Sequence, residues 1–163
     1  SWAQKKDLSL HNVKIIGPEE TLSSYELIQR SKFTMVYNSS IGLEATLLGM
    51  TVLCAGLARY TQYPTFYYPD TRQAYEDILH SFLRSKKVEL PTHFQENARK
   101  FIYYQLYRAS LPFDEFLSDH SAPGYVQLSD ISVDNMSPGS SKVIDKIVSG
   151  MLDEGEFVLE IDG

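Results

Sequence analysis

The stretch Phe33-Thr34-Met35-Val36-Tyr37-Asn38-Ser39-Ser40-Ile41-Gly42-Leu43-Glu44-Ala45-Thr46-Leu47-Leu48-Gly49-Met50-Thr51-Val52-Leu53-Cys54 decides how this chain folds. Phe33–Tyr37 carries apolar residues on both faces, the pattern of a strand in a covered parallel sheet. Asn38-Ser39-Ser40 is polar and ends that strand. Ile41–Leu48 has helical composition, and Gly49 follows as a C-terminal stop. Thr51–Cys54 is again a short apolar strand. Strand, helix and strand on such short connections predict two parallel strands joined by a crossover helix.

The same alternation continues outward. Asn12-Val13-Lys14-Ile15-Ile16, closed by Gly17-Pro18, reads as an earlier strand and turn. Ser23-Ser24-Tyr25-Glu26 has the Ser-x-x-Glu spacing of a capping box. It opens a helix to about Arg30, with Leu22, Tyr25, Leu27 and Ile28 expected on its inner side. Ala55 to Pro69 reads as a tyrosine-rich loop. Asp70-Thr71 caps a further helix reaching roughly Leu83. The expected fold class is α/β, a Rossmann-like parallel sheet flanked by helices, over residues 1–90.

Residues 91–163 read as a helical extension, packed on the first part or on a domain preceding it. Thr92-His93-Phe94-Gln95 has capping-box spacing and opens a helix through about Tyr107, with Phe94, Ala98, Phe101-Ile102 and Leu106 at three-to-four spacing. Leu111 to Pro138 reads as irregular. Ser140-Ser141 starts a last helix through Met151, and Phe157–Ile161 reads as a strand or an ordered tail.

Composition sets the outer bounds. The chain has 163 residues, 43% hydrophobic and 22% charged, ordinary values for a globular protein with a real core. Its net charge of -6 gives no electrostatic footprint for nucleic acid. No apolar run approaches the roughly 20 residues of a membrane span. Ser1–Lys6 carries no apolar segment behind its basic pair and no initiator Met, so the chain reads as a piece of something longer. The basic clusters Lys5-Lys6 and Arg84-Ser85-Lys86-Lys87 read as solvated helix ends. The alternative for them is peripheral contact with an anionic inner-membrane surface. A single cysteine, Cys54, excludes an internal disulfide and fits a reducing, cytoplasmic compartment.

In a parallel sheet, ligands bind outside the carboxyl ends of the strands. Asn38, Ser39 and Ser40 stand at such an end, and the next helix directs its N-terminal N–H groups there, a setting suited to phosphate. Ser39 and Ser40 add hydroxyls, Gly42 would let a ligand approach the backbone, and Glu44 can accept hydrogen bonds from a ribose diol. The plainer account is a capped helix with an acidic first turn. Arg59 and Tyr60 follow the next strand on the same expected edge. Arg59 reads as a phosphate or carboxylate partner or as a surface residue, Tyr60 as a stacking platform or as loop packing. There is no Asp-x-Asp and no His/Cys/carboxylate set at metal-ligand spacing. His11, His80, His93 and His120 are scattered and read as surface or capping residues. Asp119-His120 has the residue types of a base with an orienting carboxylate but lies in a Ser/Pro/Gly loop, where adjacent residues rarely aim at one point, and Cys54 reads as a buried small hydrophobe in preference to a nucleophile. No catalytic residue is singled out.

The run Ser40-Ile41-Gly42-Leu43-Glu44-Ala45-Thr46-Leu47-Leu48-Gly49-Met50-Thr51-Val52 resembles the second-domain signature of GT-B glycosyltransferases. Asn38–Ala45 followed by Ala55-Gly56-Leu57-Ala58-Arg59-Tyr60 resembles, more narrowly, bacterial capsule polysaccharide biosynthesis proteins, a group that includes Kdo transferases. The resemblance spans about Val13 to Leu79, with Thr51 where the family usually has Pro. It implies the C-terminal, donor-nucleotide half of a GT-B enzyme, with Asn38, Ser39, Ser40, Gly42, Glu44, Arg59 and Tyr60 at a nucleotide-sugar. It further implies a glycan acceptor, no cofactor and no obligatory metal. The acceptor domain and catalytic base would stand in an N-terminal domain of the same protein, against which the Tyr103-Tyr104/Tyr107 stripe would pack. Two other expectations stay open: a non-catalytic GT-B-like scaffold in polysaccharide assembly, and half of a sugar-nucleotide epimerase-like enzyme.

Overall fold

The computed structural model describes residues 12–17 and 19–158. The chain is α/β, and it divides into two compact units at Gln95–Glu96. The first unit carries helix α1 (Ser24–Arg30), strand β1 (Thr34–Val36), helix α2 (Ile41–Leu47), strand β2 (Val52–Cys54) and helix α3 (Arg72–Arg84). Helix α4 (Thr92–Tyr107) begins in it.

β1 and β2 pair in parallel, with Thr34 opposite Val52 and Val36 opposite Cys54. The ladder runs on past both ends: Thr34 N–H donates to Thr51 O (2.9 Å), and Gly56 N–H donates to Tyr37 O (2.6 Å). On its other side β2 takes a parallel bridge from Tyr67. Tyr67 N–H donates to Val52 O (3.1 Å), and Cys54 N–H donates to Tyr67 O (2.9 Å). β2 is therefore central, and Val52, Leu53 and Cys54 are wholly buried. Removing a side chain such as Leu53 from water contributes about 2 kcal/mol.

The junction between α2 and β2 follows from its sequence. Gly49 takes φ +84°, which costs a glycine nothing. It lets Met50 N–H reach Ala45 O and Gly49 N–H reach Thr46 O, a Schellman stop. The side-chain amide of Gln95 adds a bond to Leu47 O (3.0 Å). Around the sheet, Tyr67 sets its ring edge-on to Phe82 and Phe94, and Phe82 also meets Phe33.

Several expectations are corrected. Asn12–Ile16 is not a strand: Val13, Ile15 and Ile16 are exposed, and the segment is tied to its own turn by Gly17 N–H to Glu20 and by the Lys14–Glu20 ion pair. Ser23 stands at the N-cap of α1 without a side-chain bond, so the capping box does not form. Of the four residues expected to face inward from α1, only Ile28 does, while Leu22, Tyr25 and Leu27 are exposed. β1 is covered at Val36 and open at Met35. Thr92 lies inside α4 instead of capping it, and Gln95 is spent on Leu47 O. The parallel sheet among the described residues is thus β1, β2 and the single bridge at Tyr67, narrower than the expected Rossmann-like sheet.

The second unit is not irregular between its helices. Leu117–Asp119 (β3) and Val126–Leu128 (β4) pair antiparallel, Leu117 opposite Leu128, through a turn with Gly124 at φ +82°. Helix α5 (Lys142–Leu152) starts at Ser141, whose Oγ accepts from Val143 N–H and Ile144 N–H. Phe116, Val143 and Ile144 form this unit's core, with Phe113 and Ile147 against it. Phe157 and Val158 are not in a strand, and the rest of the expected 157–161 element lies outside the described residues.

Candidate functional site

Parallel strands deliver their carboxyl ends to one edge. Tyr37–Ser40 follow β1 there, Ala55–Tyr60 follow β2, and Tyr68–Thr71 follow the bridge at Tyr67. Two of these three segments are locked together. The chain after β2 turns through a 3₁₀ segment, Arg59–Gln62, which buries Tyr60. The Tyr60 hydroxyl donates to the backbone carbonyl of Ser39, and its ring stands edge-on to Phe66, centroids 5.0 Å apart. Burial, with the nearby Cys54 thiol, pushes the Tyr60 phenol up to about 12. Tyr60 therefore packs the loop, and its ring face is not offered to a ligand.

Gly42 also has another use than the expected one. It is buried, and a Cβ at this position would lie 3.0 Å from Val36 Cγ2 and 3.5 Å from Val52 Cγ1. Its missing side chain lets α2 settle on β1 and β2. Gly56 does the same after β2, where a Cβ would meet the Tyr37 carbonyl at 2.9 Å.

The first turn of α2 is largely self-satisfied. Gly42 N–H donates to Ser39 O (3.0 Å), Leu43 N–H to Ser40 O (2.9 Å) and Glu44 N–H to Ser40 O (3.2 Å). Ile41 N–H leans on Ser39 Oγ at 3.4 Å. What the corner presents outward are the exposed side chains of Asn38, Ser39 and Ser40, with Ser40 making no cap bond. Arg59 is exposed at the start of the 3₁₀ segment. Glu44 is half-buried and already has a partner: the Tyr25 hydroxyl of α1 donates to its Oε2. That bond and the charge of Glu44 hold the Tyr25 phenol above its ordinary value. Tyr25 was read from sequence as a core position of α1.

Cys54 Sγ donates to Tyr37 O (3.0 Å) and to Gly56 O (3.3 Å), and burial pushes the thiol up, the state of an inert structural cysteine. Asp119 and His120 are spent in the β3–β4 hairpin, with His120 Nδ1 accepting from Ala122 N–H. Among the described residues no group of three or more His, Cys, Asp or Glu side chains could hold a metal ion. No described helix is long and apolar enough to cross a membrane.

A cavity of about 520 Å³ opens on the same sheet edge, between Ala55 after β2 and the start of α3. Tyr68 and Tyr75 line it, with Asp70, Arg72 and Glu76. Sequence reading missed it because its residues come from a loop and a helix start with no motif of their own. A smaller cavity of about 340 Å³ lies beside Gly49, Glu89 and Gln95. No protein-family model, curated protein or solved structure matches the chain.

Proposed function

We propose that the chain is the donor-nucleotide-binding portion of a GT-B-type glycosyltransferase, its parallel strands belonging to a larger Rossmann-like sheet. The observation that carries this reading is the Tyr60–Ser39 bond. It joins the Asn38–Ser40 corner to the Arg59 loop at the carboxyl edge of two parallel strands, where α/β sheets take their ligands. In this reading Ser39, Ser40 and Arg59 meet the diphosphate or phosphodiester, and Asn38 and Glu44 meet the nucleoside. Preorganised donors would stabilise charge on the leaving phosphate without a metal. The sugar passes from nucleotide to a surface-polysaccharide acceptor held by another domain, in the cytoplasm or at the inner face of the membrane.

Titration of the chain with CMP, UDP and GDP tests this. Amide resonances of Asn38 to Leu43 are expected to move with one of the three. Movement confined to the opposite end of the sheet, near Gly49, refutes the site. In an enzyme that includes the acceptor domain, Glu44→Ala is expected to lower kcat/KM by about tenfold or more, the effect of one lost hydrogen bond to a charged group. Circular dichroism should meanwhile stay unchanged.

A second reading is favoured by the bonds already made at the corner. With the first-turn amides of α2 on Ser39 and Ser40 carbonyls and Glu44 on Tyr25, the chain is a non-catalytic module that binds a protein of the assembly. Absence of nucleotide binding with the acceptor domain present selects this second reading.

A further inference from the structure

We infer that the cavity between Ala55 and α3 is a subsite for a neutral, polyhydroxylated six-membered ring, a pyranose without a carboxylate. Its volume, about 520 Å³, falls within the roughly 300–1,000 Å³ of small-ligand pockets. Its walls divide by chemistry. Tyr68 and Tyr75 are half-buried aromatic residues, and Ala55, Pro69 and Leu79 add apolar surface. Such surfaces suit the C–H faces of a sugar ring, whose hydroxyls point around its rim. Burial also raises the Tyr75 phenol, so it stays a neutral donor and acceptor at ordinary pH.

The polar groups fix the charge the cavity accepts. Arg72 is the only cation lining it, and its Nε is held 2.7 Å from Glu76 Oε1. That pairing neutralises the guanidinium and leaves Asp70 as the uncompensated charge. Asp70 is exposed at the rim. A carboxylate accepts hydrogen bonds from hydroxyls and repels phosphates and sugar acids. The Asn38–Ser40 corner with Arg59 differs in character: it presents hydroxyls and the exposed Arg59 cation, and its one carboxylate, Glu44, is engaged by the Tyr25 hydroxyl. One edge of the sheet thus offers a place for an anion and, separately, a place for a neutral polyol. Calling the ring the donor's own sugar rests on the nucleotide-binding reading above, whereas the subsite itself does not.

The test is a set of titrations of the whole chain followed by amide resonances. The probes are methyl α-glucopyranoside, maltotriose, UDP, UDP-glucose and N-acetylneuraminic acid. Methyl glucoside, maltotriose or UDP-glucose is expected to move Ala55, Tyr68, Thr71 and Tyr75, and the acidic sugar to leave them still. Tighter binding of UDP-glucose than of UDP or the glucoside alone identifies the ring as the donor's. Glucoside or maltotriose binding indifferent to added UDP identifies it as an acceptor's. Both results support the subsite. Asp70→Asn keeps the shape and is expected to raise the dissociation constant about fivefold, the loss of a charge-assisted bond. Tyr75→Leu keeps an apolar wall, guards against misfolding as an explanation, and is expected to weaken binding through loss of the ring face. Silence of the cavity amides with every neutral sugar overturns the inference, as does equal binding of the acidic sugar or movement confined to the Gly49 cavity. The UDP arm is scored on Asn38 to Leu43 alone. UDP movement there with a silent cavity refutes the sugar subsite and spares the nucleotide site, whereas a responding cavity with Asn38 to Leu43 silent to CMP, UDP and GDP alike refutes only the nucleotide site.

Discussion

The Tyr60 hydroxyl donates to the backbone carbonyl of Ser39, so the loop after the second parallel strand is fastened beneath the loop after the first. Tyr60→Phe leaves that carbonyl without its partner and is expected to cost about 1–2 kcal/mol, read as a lower urea midpoint. The phenol, raised to about 12 from an ordinary 10.0, also sets a pH dependence. Its protonated form is the one the fold favours. The contribution is therefore complete below pH 10 and is lost as pH climbs from there to about 12. Stability measured across that window should fall more steeply in the native chain than in Tyr60→Phe.

Gly42→Ala separates packing from ligand approach. Alanine in place of glycine favours a helix by about 1 kcal/mol. Here the new methyl would stand 3.0 Å from Val36 Cγ2, on a β-branched side chain with little freedom to turn away. Overpacking of that kind costs roughly 1–3 kcal/mol. The net expectation is destabilisation of about 1 kcal/mol, measured by chemical unfolding. A gain in stability would mean that α2 does not rest on β1 as closely as described.

Thr51 is 2% exposed, and its Oγ1 has no hydrogen-bond partner among the described residues. Its backbone carbonyl serves the sheet through Thr34 N–H, which a substitution of the side chain leaves intact. Thr51→Val replaces the stranded hydroxyl with a methyl of the same shape and is expected to stabilise by about 1 kcal/mol, seen as a higher melting temperature.

Tyr25→Phe releases Glu44 from the only side chain that bonds it among the described residues. Both groups reach solvent, so the melting temperature should hardly move. If Glu44 receives a ribose diol, freeing its second oxygen changes the ratio of affinities for a ribonucleotide and its 2′-deoxy analogue. An unchanged ratio in a chain that binds nucleotide would remove Glu44 from the nucleoside.

Local chemistry made part of this protein legible in advance. The helix at Ile41–Leu47 with its glycine stop, the strand at Val52–Cys54 and the caps at Thr71 and Ser141 are written in short-range signals. A left-handed glycine, a short apolar run between polar ends and a hydroxyl before an amphipathic helix mean the same thing in almost any fold. What tertiary structure decided was direction. Val13, Ile15 and Ile16 carry a strand's composition, but a strand exists only by pairing, and no described strand pairs with them. Gly42 and Tyr60 were visible as residues of an expected ligand corner, yet both turn inward, because helix α2 must sit close on β1 and the Ser39 carbonyl needs a donor. Tyr25 and Glu44 stand 19 residues apart and meet only once α1 lies beside α2. The Tyr68–Tyr75 cavity has no sequence signature at all, since it is the space left where a loop and a helix start come to the edge of the sheet.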